Sequence, residues 1–154
     1  MRTIPERVNP ALVGYQVPWA LFNLGKKKEA SGRLVELMRE YPEDTGGLYT
    51  SLQALLLAST GQELEAENKV REAAERGKGF GHFHHTAYHI ACAYALMNKP
   101  EPAIRWLDAA AQDGFPCYPL FQRDSNLDKL REDPRFMSFM ARTKQQWESY
   151  RSLF

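Results

Sequence analysis

Four histidines and a cysteine crowd one stretch of the chain, Gly81 to Cys92, which reads GHFHHTAYHIAC. His85, His89 and Cys92 stand there at i, i+4 and i+7, so on a helix they share one face. Imidazole and thiolate are good zinc ligands, and a histidine pair at i, i+4 can share a metal. Against that, the stretch holds no carboxylate, and the chain has neither CxxC nor HExxH. A fourth ligand would have to be His82 or Cys117, and no spacing places either one. A structural or partner-contacting role is therefore favoured over metal binding, and no cofactor is expected. Histidines that face a partner would change charge at about pH 6–7.

The second chemistry these residues could support is nucleophilic. Cys92 lies three residues after His89, within reach of it on a helix. A thiolate nucleophile needs a base beside it and a third group to orient that base. Cys92 instead sits in an apolar helical run, where cysteine is usually a small buried hydrophobe. The chain has no G-x-S-x-G, Walker A or dinucleotide glycine fingerprint, and the glycine-rich GKGFG follows a helical pattern rather than a strand. No enzyme activity is expected.

Those residues need elements to hold them, and length and composition bound what the elements can be. The chain has 154 residues, 44% of them apolar, and 20 Lys plus Arg against 19 Asp plus Glu, for a formal charge of +1. One domain takes roughly 100–200 residues, so one domain with a sizeable core is expected over 1–154. Near-zero net charge argues against a nucleic-acid binder. No apolar run reaches the ~20 residues a membrane span needs. MRTIPERVNP lacks the apolar core of a secretory signal, and two cysteines make no disulfide scaffold, so a cytoplasmic setting is expected.

Internal repetition organises the chain. GKKKEASGRLVEL from Gly25, GQELEAENKVREA from Gly61 and NKPEPAIRWLDAA from Asn98 share a register. Each opens on a residue tolerant of left-handed backbone, and an alanine follows five residues later: Ala30, Ala66, Ala103. Leu34, Val70 and Leu107 come next, then Leu37, Ala73 and Ala110. Upstream, Leu21, Leu57 and Tyr94 each stand four residues before the opening residue. Spacings of three and four make a helical face, so each unit reads as helix, tight turn, helix. The small alanines let the two helices approach closely. On the second unit's outer helix, Glu65–Lys69, Glu67–Arg71 and Glu72–Arg76 are acid-to-base pairs at i, i+4 on a solvated face.

After Gly114 the period stops. FPCYPLFQRDSNL reads as a loop, Ser125 to Asp128 as a capping box before a short helix over 127–131, and Asp133-Pro134 as the start of a long helix. Phe136, Phe139, Met140, Thr143, Trp147 and Tyr150 fall on one face of that last helix. It should cap the apolar end of a stack, or else dock onto a partner.

With these residues in place, the chain resembles the tetratricopeptide repeat family. The resemblance rests on Leu21, Gly25, Ala30, Leu34, Leu37 and Pro42 and on their counterparts in the next two units. The large aromatic usual early in each first helix is replaced by Gly14, Thr50 and Ala87, and Pro18 inside the first helix is atypical and bears on its straightness. The tail, GFPCYPLFQRDSNLDKLREDPRF, is similar to the end segment of repeat regions that follow bacterial signalling modules such as serine/threonine kinases and adenylate cyclases. The resemblance implies an all-α, right-handed superhelix of three helix pairs, about 11–44, 47–79 and 84–114, with a capping region over 115–154. It also implies a protein-interaction scaffold that takes a peptide or partner helix in a concave groove. Carried over by position, the groove would be lined by Tyr15, Gln16, Trp19, Phe22 and Asn23, by Ser51, Leu52 and Leu55, and by His85, Tyr88 and His89. Two other readings stand beside it. The groove could be filled by the chain's own terminal segment, or the apolar face or last helix could form a homodimer. A metal site on His85, His89 and Cys92 is the remote alternative.

Overall fold

The computed structural model describes residues 10–152. Among them the fold is all-helical, with nine α-helices, two short 3-10 turns and no strand. No helix is long and apolar enough to cross a membrane. Helices α1 (Pro10–Gly14) and α2 (Gln16–Asn23) are nearly one helix, interrupted at Tyr15. Pro18 explains the interruption: it has no N–H to give to the Gly14 carbonyl, and its ring crowds that carbonyl.

Three hairpins follow the repeat register. The first pairs α2 with α3 (Lys27–Glu40), the second α4 (Leu48–Ser59) with α5 (Glu63–Arg76), and the third α6 (Phe83–Leu96) with α7 (Pro100–Gln112). The same turn closes all three. Gly25, Gly61 and Asn98 take positive φ of 77°, 78° and 57°. The N–H of the residue after each reaches back to Leu21, Leu57 and Tyr94, at 2.9, 3.0 and 2.9 Å. These are Schellman caps, so the residues four before each turn recur because their carbonyls are the acceptors. Ala30, Ala66 and Ala103 are fully buried where the paired helices cross, as are Ala73 and Ala110.

Helices α4 and α6 are apolar on nearly every side and pack against each other at the centre of the molecule. A helix with that pattern must be covered all round. One core cluster, including Ala54, Ala66, Val70, Ile90 and Met97, lies where α4 and α5 meet α6. The other runs from Tyr15 and Phe22 through Leu52 and Tyr88 to Phe121, Leu127 and Phe139.

The covering segment departs from its sequence reading. The expected loop after Gly114 contains helix α8 (Tyr118–Arg123). Pro119 suggested a loop, but proline is tolerated in a helix's first turn. The expected helix over 127–131 is a 3-10 turn, Ser125–Leu130, and Asp124 rather than Ser125 caps it, accepting from Asn126 N–H at 2.8 Å. Asp133 does cap α9 (Pro134–Arg151), accepting from Arg135 N–H at 2.8 Å. Its bond to the Arg135 side chain holds its carboxyl down at about 2. Phe136, Phe139 and Thr143 of α9 are buried and Trp147 is half-buried against Tyr118, whereas Tyr150 is exposed.

The charge lacing of α5 also differs in detail. Glu72–Arg76 forms at 3.0 Å. Lys69 turns to Glu72 at 2.7 Å instead of Glu65, and Arg71 bonds Asn68 instead of Glu67. Glu67 crosses to Lys99 of the next hairpin, which lowers the Glu67 carboxyl and raises the Lys99 ammonium. Both partners are partly exposed, so this bridge fixes geometry more than it adds stability.

Candidate functional site

The inner faces of α2, α4 and α6 bring the expected groove residues together, but as core. Tyr15, Phe22, Ser51, Leu52, Leu55, Tyr88 and His89 are buried, Trp19 and His85 are half-buried, and only Gln16 and Asn23 are exposed. The chain's own C-terminal segment fills the groove. Asp124 is the latch: its carboxylate accepts from the Tyr88 hydroxyl and, at 3.7 Å, from the Cys92 thiol. Arg131 clamps the segment by donating to the Phe121 and Asp124 carbonyls, each at 2.9 Å. Phe115 and Phe121 pack against Tyr88, edge-on and tilted, with ring centroids 5.5 and 5.6 Å away. On the α2 side, Asn126 Nδ2 donates to Asn23 Oδ1 at 3.4 Å. An open groove on these residues is thus replaced by an intramolecular interface, because the apolar stripe after Gly114 buries itself on the nearest apolar face.

The histidine and cysteine chemistry divides in the same way. Cys92 is fully buried, and burial, then the nearby Asp124 charge, push its thiol up. That is the reverse of what a nucleophile needs. His89, 1% exposed, sits 3.0 Å from Ser51 Oγ. Ser51 directs its one hydroxyl proton to the Leu48 carbonyl at 3.0 Å, which leaves His89 Nδ1 as the donor between them. Tyr15 and Trp19 close over the His89 ring at 5.5 and 5.8 Å. So His85, His89 and Cys92 do not converge on a ligand: each has its own partner.

Burial, helped by His85, pushes His89 down to about 3. Above the unfolded value of about 6.5 both states are neutral and pH has no effect. Below it the unfolded chain takes up a proton that the folded chain refuses until about pH 3, so stability falls as the solution is acidified. Between pH 7 and pH 5 this one group should remove about 2 kcal/mol. Urea titrations at both pH values check this: His89→Gln should lose about 2 kcal/mol less than the parent over that step. Equal losses would show that His89 titrates normally. His85 is likewise lowered, to about 4, by burial and then by His84 and His82.

Spacing did not reveal which histidines do meet. One ring nitrogen from each of His82, His84 and His85 lies within 4.8 Å of the others at the start of α6. His82 is the N-cap, at φ −119° and ψ 33°, so it stands outside the helical period. His84 is held from another element: Asp113 Oδ2 accepts from its backbone N–H at 2.8 Å, and its Nδ1 lies 3.0 Å from the Asp113 carbonyl and 3.2 Å from Oδ2. His85 Nδ1 lies 3.2 Å from the Tyr15 hydroxyl.

An apolar-walled recess lies elsewhere, between α3 and α4. It is a slot of about 250 Å³, walled by Leu34, Val35 and Met38 on one side and Leu56 and Leu57 on the other, with Lys27 and Lys28 at its rim. Gln53 lines it, and Gln53 Oε1 is buried with no hydrogen-bond partner among the described residues. Val35 is 49% exposed at its edge. No repeat position pointed here, because the slot is made by two helices of different hairpins. Comparison of the chain with protein-family models, curated proteins and solved structures found no match.

Proposed function

We propose that the chain is a non-catalytic protein-interaction module, a short right-handed stack of tetratricopeptide-like hairpins that binds a peptide in the slot between α3 and α4. The observation that carries this reading is the orphan Gln53 acceptor beside the apolar walls of the recess. A buried acceptor left unpaired costs about 1–3 kcal/mol, and a ligand N–H would recover it once the Gln53 side chain turns into the slot. At about 250 Å³ the slot falls below the ~300–1,000 Å³ of most small-molecule sites, which suits side-chain anchors of a peptide better than a cofactor. Lys27 and Lys28 at the rim favour an acidic residue beside those anchors. The three identical Schellman turns, 36 and 37 residues apart, support the repeat architecture. The filled inner groove moves the ligand to the outer slot.

Selection from a displayed peptide library tests this. Ligands should carry apolar anchors and an acidic residue, and Val35→Asp and Lys28→Glu should each weaken the best of them at least tenfold, about 1.4 kcal/mol. Trp19→Ala, which lies outside the slot's lining, should leave binding unchanged. Loss of binding in Trp19→Ala with none in Val35→Asp would return the site to the inner groove. Concentration-dependent sedimentation that Val35→Asp abolishes would make a second copy of the chain the occupant in place of a peptide.

A further inference from the structure

We propose that His82, His84 and His85 form a binding site for one divalent transition-metal ion of the zinc type, with a coordination position left open to solvent. Three imidazoles are the protein ligands of an open zinc site, whose fourth position is held by water or an incoming ligand. Nitrogens bound tetrahedrally at ~2.0–2.1 Å from zinc lie ~3.3 Å apart. The present separations, within 4.8 Å, need only side-chain rotation to close. His82 has that freedom: it is exposed, and its ring forms no hydrogen bond among the described residues, meeting the rings of Phe80, His84 and His85.

The surroundings of the other two are arranged as a ligand's would be. A metal-binding histidine generally donates its second ring N–H to a carboxylate or carbonyl, which fixes both tautomer and ring orientation. His84 Nδ1 faces both kinds of acceptor on Asp113, so the proton belongs on Nδ1 and Nε2 is left bare. The Tyr15 hydroxyl lies against His85 Nδ1 and can accept its proton when Nε2 is the ligand atom. The rings of His84 and His85 sit with centroids 4.3 Å apart. The start of a helix disfavours a cation through its dipole. The Asp113 carboxylate, hydrogen-bonded to the His84 backbone N–H in that first turn, offsets this. Softness of the ligands selects the metal: an all-imidazole set suits zinc, nickel or copper, whereas magnesium and calcium take oxygen ligands.

Zinc titration of the full chain against a competing chromophoric chelator, with cobalt as spectroscopic probe, tests the site. One equivalent of zinc should bind, and cobalt should give the visible absorption of nitrogen coordination without a thiolate charge-transfer band. His84→Ala and His82→Gln should each weaken binding at least 30-fold. Asp113→Asn, which removes the orienting carboxylate, should weaken it about tenfold. His89→Gln should leave affinity unchanged. Circular dichroism on each variant separates ligand loss from misfolding, and His82→Gln serves as the safe variant because its side chain is exposed. Three results would each overturn the site: less than 0.2 equivalent bound, a cobalt–thiolate band, or unchanged affinity in folded His82→Gln.

Discussion

Phe121→Ala should destabilise the chain by about 3–5 kcal/mol, the usual cost of deleting a buried aromatic ring. Phe121 is 0% exposed, and it is where the C-terminal segment grips the hairpins: its ring meets Tyr88 at 5.6 Å, Phe115 at 5.9 Å and Phe139 at 5.6 Å. The loss would therefore fall on three elements at once, α6, α8 and α9. Domains of this size hold together by about 5–15 kcal/mol, so the variant should sit near the edge of folding. Urea denaturation followed by circular dichroism reads the effect. If the cavity stays closed under an otherwise intact segment, the midpoint falls while the slope is kept. If the segment lifts from α6, the slope changes as well, because Tyr88 and Leu127 are already exposed before unfolding. Met137→Ala, on the exposed face of α9, should change stability by less than about 0.5 kcal/mol. A Phe121→Ala cost below about 1.5 kcal/mol would mean that the segment is not integral to the core.

The parts of this molecule that were legible in its sequence are those set by local chemistry. Gly25, Gly61 and Asn98 announce their turns because few residues adopt positive φ cheaply, and the alanines five residues on announce close helix contacts. The cover over α2, α4 and α6 was not legible, since nothing local to Phe115–Leu130 says which apolar face it will meet. There, Pro119 hid a helix by sitting in its first turn, where it does no harm. The histidines show the same limit at finer scale. The i, i+4, i+7 rule does place His85, His89 and Cys92 on one face of α6, but that face points into the core, where each finds a separate partner. The histidines that converge include an N-cap residue, whose side chain leaves the helix in a direction no helical period describes. The slot beside Gln53 is likewise a product of two helices from different hairpins, so only the assembled fold could display it.

Asp44→Ala is the second substitution expected to act severely, by about 3 kcal/mol, although Asp44 lies in a loop and touches no large apolar side chain in its role. Helix α4 begins at Leu48 with Gly47 as its N-cap, and glycine offers no side-chain acceptor. The first-turn N–H groups of Tyr49 and Thr50 therefore get no acceptor from the capping residue itself. The Asp44 carboxylate, 3% exposed, accepts both, at 2.8 and 2.9 Å, and takes the Thr50 hydroxyl at 2.6 Å. It thus does the work of an N-cap from three residues upstream of the capping position. The chain must double back to allow this, and Gly46 and Gly47 at φ 82° and 70° supply the bend. A Cβ on Gly46 would lie 2.2 Å from the Phe80 ring, and one on Gly47 would lie 2.5 Å from the Ala73 carbonyl, so space as well as conformation demands glycine at both. The Gly46 carbonyl in turn accepts from Thr86 at 2.7 Å, which ties the bend to α6. Alanine at 44 would remove the carboxylate that accepts from three buried donors and an anion from the positive end of the helix dipole. Asparagine keeps one acceptor oxygen and should lose about half as much, roughly 1–2 kcal/mol. Urea denaturation at pH 7 checks the order: parent most stable, Asp44→Asn between, Asp44→Ala lowest. If alanine proves no worse than asparagine, the carboxylate's bonds do not carry the start of α4, and the bend itself must hold it.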